Sequence, residues 1–214
     1  LYPTCAGWVQ DELFVKPFDA ASTDVTSTTM RWESAPAWSP SGRNIAFSFT
    51  DRSSAVSGIA ILDLQTGAQK VLASAPLDSG MFYSNPAWSP DGRQVAFVFS
   101  GDIAVINADG SGFHILILGP KGVYSEGRAD LSHPSWSPNG HEIAFSVSWY
   151  DSNSGIFVSK PDGTHLRRLT RGNDTEPAWS PDGQRLVFVR QPRNTRSTLR
   201  VVRSDGRGYG RRLL

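Results

Sequence analysis

Polar residues recur at fixed positions before a repeated Pro-Ala/Ser-Trp-Ser phrase, and they are the first candidates for chemistry. Asn85, His133 and Glu176 stand immediately before the proline of the phrase, whereas Glu33 and Asp174 stand three residues before it. Carboxylate, imidazole and amide groups bind cations and hydrogen-bond polar small molecules. If the fold gathers the copies of the phrase, these side chains line one ligand site. The alternative is a solvated channel that holds only water.

Known catalytic motifs do not accompany these residues. The nucleophile elbow Gly-x-Ser-x-Gly does not occur in the sequence. The histidines do not have the spacing of a zinc protease, and no glycine-rich phosphate loop follows a strand and opens a helix. We therefore predict no enzyme activity, no catalytic residue, no metal site and no cofactor.

The four copies of the phrase lie at nearly constant intervals. Their tryptophans, Trp38, Trp88, Trp136 and Trp179, are 50, 48 and 43 residues apart. A period of about 40 to 50 residues with strand-like content is typical of β-propeller blades rather than of helical solenoids. We expect each indole to pack between neighbouring blades, because an identical residue in every blade suits packing better than a ligand cage.

Each repeat predicts four short antiparallel strands joined by tight turns. The phrase is the innermost strand, and Ser-Pro-Asp-Gly or a close variant forms the turn after it. The next two strands alternate apolar residues, as in Val95 and Phe97 and then Ile103 and Val105. The prediction is a single all-β propeller domain over residues 1–214. It has four complete blades, near 31–74, 83–118, 131–170 and 174–214, and a partial N-terminal fifth near 1–30.

The N-terminal segment matches only the second half of a blade. Leu13 precedes Asp19 by six residues, the same step that separates Ile156 from Asp162, and residues 24–26 would form the outer strand. The innermost strand of this copy is missing. The ring therefore closes by an irregular pairing of the termini, or residues outside these 214 complete it, and an incomplete ring predicts self-association.

Composition sets further bounds. The chain has 214 residues and a net charge of +1, with 39% hydrophobic and 19% charged residues, which is typical of a soluble globular protein. No apolar run approaches 18 residues, so we expect no membrane insertion. The single cysteine, Cys5, excludes an internal disulfide.

The two faces of the predicted disc differ. Turns after the first and third strands of each blade are short and uniform, whereas connections after the second and fourth strands vary. We call the latter the loop face, and variable loops on a rigid scaffold are where binding residues concentrate. Its aromatic candidates for partner binding are Phe82, Tyr83, Tyr124, Trp149 and Tyr150. The alternative is that these rings fold back and pack against their own loops.

The C-terminal blade is rich in arginine. Residues 183–214 contain nine Arg and one acidic residue, and Arg190, Arg193 and Arg196 fall on the predicted loop face. Such a patch fits an acidic protein or a polyanionic glycan. Nucleic acid is not expected, because the patch lacks interleaved aromatic residues. An ordinary solvated surface is the simpler interpretation.

The phrase Pro86-Ala-Trp-Ser-Pro-Asp-Gly-Arg93, followed by Ile103-Ala-Val-Ile-Asn-Ala-Asp-Gly110, resembles the WD-like repeat of the TolB-type β-propellers. The resemblance covers nearly the whole chain. It implies a periplasmic or extracellular protein, because TolB is a six-bladed periplasmic propeller that binds an outer-membrane lipoprotein and other envelope proteins. Similar propellers also gate serine-peptidase domains. Within these 214 residues the repeat occurs fewer times than in TolB, and TolB's N-terminal α/β domain has no counterpart.

Three hypotheses follow. The first is a non-enzymatic scaffold that binds a protein partner through the loop face. The second is a small-ligand, glycan or cation-binding propeller that uses the channel mouth at Glu33, Asn85, His133, Asp174 and Glu176. The third is the gating domain of a longer hydrolase.

Overall fold

The fold is known from a computed structural model of the chain. It describes residues 14–15, 23–24, 26, 31–118, 130–148, 154–192, 196–207 and 211–212. These residues form four separate four-stranded antiparallel sheets and one two-stranded sheet. The prediction of a β-propeller with four complete blades and a partial N-terminal one is confirmed.

The first two blades follow one another along the chain, and in each the strands lie in sequence order from the inside outwards. Blade 1 consists of β3 (Arg31–Trp38), β4 (Asn44–Asp51), β5 (Val56–Asp63) and β6 (Gln69–Pro76). A 3-10 turn at Leu77–Ser79 leads into the next blade. Blade 2 consists of β7 (Tyr83–Trp88), β8 (Gln94–Phe99), β9 (Asp102–Asn107) and β10 (His114–Ile117).

The other two blades repeat this order, with shorter outer strands. Blade 3 consists of β11 (Asp130–Trp136), β12 (Ile143–Ser148), β13 (Gly155–Ser159) and β14 (Arg167–Arg168). Blade 4 consists of β15 (Asp174–Trp179), β16 (Arg185–Arg190), β17 (Thr198–Arg203) and β18 (Arg211–Arg212). Near the N-terminus, β1 (Phe14–Val15) pairs antiparallel with β2 (Thr23–Asp24).

The serine after each tryptophan fixes the first turn of its blade. In blade 2, Ser89 Oγ accepts a hydrogen bond from the Gln94 amide at 2.9 Å and donates one to Asp91 Oδ1 at 2.6 Å. Gly92 closes this turn at a φ of +69°, a conformation that other residues adopt only with strain. The other blades repeat the bond from a backbone amide to the serine hydroxyl at Ser39, Ser137 and Ser180. These repeated hydrogen bonds therefore make the first turn of each blade rigid on the face opposite the loop face.

A β-bulge interrupts every innermost strand just before the repeated proline. The register shifts there in all four blades. The residue before the proline has a positive φ in each, and these residues are Ala35 (50°), Asn85 (50°), His133 (51°) and Glu176 (57°). A bulge places two residues opposite one and re-aims the side chain at that point. Because alanine occupies the position in blade 1, the bulge is part of the fold whatever side chain it carries.

Each blade uses its two sides differently. The leading side, which faces the preceding blade, carries the repeated tryptophan and phenylalanine, as Trp88 and Phe97 do in blade 2. The trailing side, which faces the following blade, carries smaller aliphatic residues, as Ala46 and Ile59 do in blade 1. Leading and trailing sides interlock into apolar clusters between blades 1 and 2, 2 and 3, and 3 and 4. The predicted packing between blades is observed for Trp88, Trp136 and Trp179. Trp38 does not follow the prediction, because its indole is 55% exposed.

Two of the tryptophans also carry a hydrogen bond across the interface. Trp88 Nε1 donates to the carbonyl oxygen of Ala37 at 3.2 Å, and Trp179 Nε1 donates to that of Ser135 at 3.1 Å. In both cases the acceptor precedes the tryptophan of the neighbouring blade. At the interface between blades 2 and 3 the corresponding Nε1 of Trp136 is buried without a hydrogen-bond partner among the described residues. The bond therefore occurs at two of the three interfaces between the described blades.

Candidate functional site

The connection between blades 1 and 2 presents the most concentrated apolar surface of the described loop face. Leu77, Met81 and Phe82 lie within six residues of one another, and their exposed fractions are 38%, 45% and 51%. Large apolar side chains that stay accessible on an ordered loop are typical of protein contact sites when they cluster. We call residues 77–82 the apolar loop.

Hydrogen bonds hold the backbone of the apolar loop in place. The Leu77 amide donates to the Ala55 carbonyl at 2.8 Å. The Ser100 amide donates to the Phe82 carbonyl at 2.9 Å, and the Phe82 amide donates to Ser100 Oγ at 3.3 Å. Because the backbone is already fixed, a partner that contacts Phe82 would order little more than its side chain, which lowers the entropic cost of binding.

Tyr83 is placed differently from Phe82, although the two are adjacent. Its ring lies 5.1 Å from that of Phe99 and 6.1 Å from that of Phe97, measured between centroids. Burial raises the pKa of the Tyr83 hydroxyl. Tyr83 therefore packs against the second strand of blade 2, whereas the Phe82 ring stays exposed.

Arg190 and Asp174 form a bidentate ion pair across the innermost hairpin of blade 4. Arg190 Nε lies 2.6 Å from Asp174 Oδ1, and Nη2 lies 2.7 Å from Oδ2. Nη2 also donates to the Arg171 carbonyl at 2.9 Å. The hydrogen bonds from the guanidinium to this carboxylate raise the pKa of Arg190. The ion pair joins Asp174, predicted at the channel mouth, to Arg190, predicted on the loop face. The charge of each side chain is therefore balanced by the other.

The structure brings part of the predicted channel-mouth set together. Thr175 Oγ1 lies 3.3 Å from Nδ1 of His133, and the charge of Glu176 acts on the same imidazole. Asn85 Oδ1 accepts a hydrogen bond from Ser84 Oγ at 3.1 Å. Glu33, by contrast, is buried, and Arg31 Nε lies 3.9 Å from its carboxylate. Among the described residues no group of three or more His, Cys, Asp and Glu side chains could hold a metal ion. The channel-mouth ligand site stays a prediction.

His133 should make the stability of the domain depend on pH. Burial lowers the pKa of its imidazole below the ordinary 6.5, and the nearby Glu176 carboxylate offsets only part of this effect. The unfolded chain therefore binds the proton more tightly, so the free energy of unfolding should fall as pH drops below about 6.5. Urea unfolding at pH 7 and pH 5 should show this loss in the wild type and a smaller loss in His133→Gln. The control variant His141→Gln changes an exposed histidine and should keep the wild-type loss. Equal losses in all three proteins would contradict the assignment of the pH dependence to His133.

The other predicted loop-face residues divide into two groups. Arg196 is exposed. Tyr124, Trp149, Tyr150 and Arg193 lie outside the described residues, so their roles stay predictions.

Two contributors to the loop face were not predicted. Leu77 and Met81 were missed, although both are large apolar residues in a segment that also contains Asp78, Ser79 and Gly80. Apolar residues among turn formers would have been the signal.

A cation–π pair lies on the loop-face end of blade 1. The guanidinium of Arg52 lies 3.9 Å from the ring centroid of Trp32.

Solved structures share this architecture. TolB from Acinetobacter baumannii superposes with a TM-score of 0.72 at 21% identity, over 90% of this chain and 46% of that one. Oligogalacturonate lyase from Vibrio parahaemolyticus gives a TM-score of 0.70 at 14% identity, over 95% and 60%. A chain of a nidogen/laminin complex gives 0.59 at 14% identity, over 85% and 64%. The fold is that of a TolB-like β-propeller.

The comparisons set limits as well. No protein-family model matches the sequence, and no curated protein matches it. The chain spans about half the length of the TolB structure, 46%, and 60% of the lyase. Within the described part of the chain, no helix is long and apolar enough to cross a membrane.

Proposed function

We propose that this TolB-like propeller is a non-enzymatic module that binds a protein partner through its loop face, outside the cytoplasm. The observation that carries the proposal is the apolar loop, in which Met81 and Phe82 stay about half exposed on a backbone fixed by hydrogen bonds. An enzyme would need converging catalytic groups, and the sequence offers no motif for them.

A protein is the partner that fits this surface best. Interfaces between proteins are enriched in aromatic residues, methionine and arginine, and a few such anchors dominate the binding energy. The apolar loop supplies Met81 and Phe82, and the neighbouring hairpin supplies Arg52. The likeness to TolB and to a chain of a nidogen/laminin complex supports a binding role for the fold.

Phe82 should be an anchor of that interface. Phe82→Ala removes an exposed ring without disturbing the core, so we expect partner affinity to fall by about 2 kcal/mol or more, roughly 30-fold. A photoreactive amino acid at position 82, introduced into the native host, would capture the partner covalently and identify it by mass. The affinity of that purified partner is then measured by calorimetry for the wild type and the variant.

Leu166 provides the matched control. It is 52% exposed, close to the 51% of Phe82, but it follows the third strand of blade 3 and therefore lies on the opposite, turn-rich face. Leu166→Ala should leave the affinity unchanged, and a photoreactive residue at 166 should not capture the same protein. Equal capture at both positions, or unchanged affinity of Phe82→Ala, would remove the apolar loop as the binding site.

A further inference from the structure

The interface between blades 2 and 3 contains two buried polar atoms that make no hydrogen bond to any described residue. They are Nε1 of Trp136 and Oγ of Ser159, and both belong to the side of blade 3 that faces blade 2. Buried polar side-chain atoms in proteins are nearly always bonded to a protein group or to an ordered water. These two atoms therefore mark a place where the fold needs further hydrogen-bond partners.

The indole of Trp136 differs from its counterparts in its bonding. In blades 2 and 4 the corresponding Nε1 donates directly to a carbonyl of the preceding blade, at 3.2 and 3.1 Å. The equivalent acceptor for Trp136 is the Ala87 carbonyl, because Ala87 precedes the tryptophan of blade 2, but this bond does not form. The ring nevertheless packs against the apolar cluster between blades 2 and 3. One water molecule can accept the indole proton and donate to that carbonyl.

Ser159 is a polar exception at a position that is otherwise aliphatic. It lies opposite Ile143 on the third strand of blade 3, and its surface is only 1% exposed. The corresponding residues of the other blades are the buried Leu62, Ile106 and Val202. Serine is smaller than any of these and carries a hydroxyl that both donates and accepts. Blade 3 has therefore exchanged an apolar contact for a group that needs hydrogen-bond partners.

Close contacts between the two blades confine this end of the interface. Gly163 lies in the turn that follows Ser159, and a Cβ at position 163 would be 2.7 Å from the Leu116 carbonyl oxygen of blade 2. A Cβ at Gly140 would be 3.3 Å from Cγ of Pro90, also in blade 2. Such close approaches leave little room for an organic molecule. Water is small enough for confined polar sites, where it typically makes about three hydrogen bonds.

We propose that the interface between blades 2 and 3 binds internal water, one molecule at Trp136 Nε1 and another at Ser159 Oγ. The first water bridges the indole to the Ala87 carbonyl, and the second completes the hydrogen bonding of the serine hydroxyl. Ile143 lies between Trp136 and Ser159 in the sheet, so each residue has its own water. The link that the other two interfaces make directly is thus made through water at this one.

Magnetisation transfer from water to the indole protons tests the first site. The protein is labelled with nitrogen-15, and the Hε1 signal of Trp136 is identified by its loss in Trp136→Phe. Rotating-frame spectra should show a dipolar contact between water and this proton, with the opposite sign to an exchange peak. Trp88 and Trp179 are matched controls in the same molecule, because their indoles bond directly to carbonyls and should show no such contact.

Thermal unfolding tests the second site. Removing a hydroxyl that is bonded to water loses a hydrogen bond, whereas removing an unsatisfied hydroxyl relieves the cost of burying it. Ser159→Ala should therefore lower the melting temperature by about 2–4 °C. Ser74→Ala is the control, because Ser74 is an exposed serine in a strand of blade 1, and its melting temperature should stay close to that of the wild type.

Either of two results would overturn the proposal. The Trp136 Hε1 proton could show no dipolar contact with water, or Ser159→Ala could melt at or above the wild-type temperature. If Trp136→Phe does not fold, a crystal structure that resolves ordered water decides both sites. Water density within about 3.2 Å of Nε1 and of Oγ supports the proposal, and its absence at either atom contradicts it. None of these results bears on partner capture by Phe82, which lies on the loop face.

Discussion

Trp88→Ala is expected to destabilise the domain by about 3–5 kcal/mol, the range for truncating a large buried aromatic side chain. The indole of Trp88 is 9% exposed and packs between blades 1 and 2 with Phe97 and Ile59. The substitution also leaves the Ala37 carbonyl without its hydrogen bond across the interface. Chemical denaturation followed by circular dichroism measures the change in the free energy of unfolding.

Trp38→Ala is the matched comparison, because the residue has the same place in the repeat but a different environment. Trp38 is 55% exposed, so its truncation removes little buried area, and we expect a cost below about 1 kcal/mol. Both variants are measured at the same protein concentration. Equal losses would mean that Trp38 is as buried in solution as Trp88.

The repeat made the architecture predictable. A phrase that recurs every 43 to 50 residues specifies four equivalent blades. The strands of blade 2 and their order follow from the alternation of Val95 with Phe97 and of Ile103 with Val105. Local turn chemistry and apolar pattern agree at each step, which is why so much of the fold could be derived without coordinates.

The β-bulge before each proline could not be derived in this way. A residue before proline is expected in extended conformation, yet Ala35, Asn85, His133 and Glu176 all have positive φ. Such a conformation persists only where the surrounding structure enforces it, and a sequence pattern does not report that surrounding structure. The prediction that these residues lie at the channel mouth described their location in the repeat but not the bulge that orients them.

The partners of the candidate site residues were the other gap. Counting back from the turn at Ser180 to Gly183 places Thr175 opposite Arg190, but the bulge shifts the register by one residue, so that Asp174 faces Arg190. Opposite charges at facing positions attract each other. The pair could not have been predicted, because it depends on the bulge. Apolar residues among turn formers mark the apolar loop in the sequence, but the exposure of Leu77, Met81 and Phe82 depends on how neighbouring blades leave that connection uncovered.

Arg190→Ala should produce the second large effect, again about 3–5 kcal/mol, because it leaves the buried Asp174 carboxylate without its counter-ion. The side chain of Asp174 is fully buried, whereas that of Arg190 is 26% exposed. Asp174→Ala should therefore cost less, about 1–3 kcal/mol, since the guanidinium can turn towards water and retain its bond to the Arg171 carbonyl. Urea unfolding of the two single variants measures this asymmetry.

The double variant Arg190→Ala/Asp174→Ala separates a structural pair from two independent binding residues. Removing both charges should cost less than the sum of the single changes, with a coupling of about 0.5–3 kcal/mol. If Arg190→Ala instead unfolds like the wild type and weakens only partner binding, Arg190 belongs to the interface and its bond to Asp174 contributes nothing to the fold.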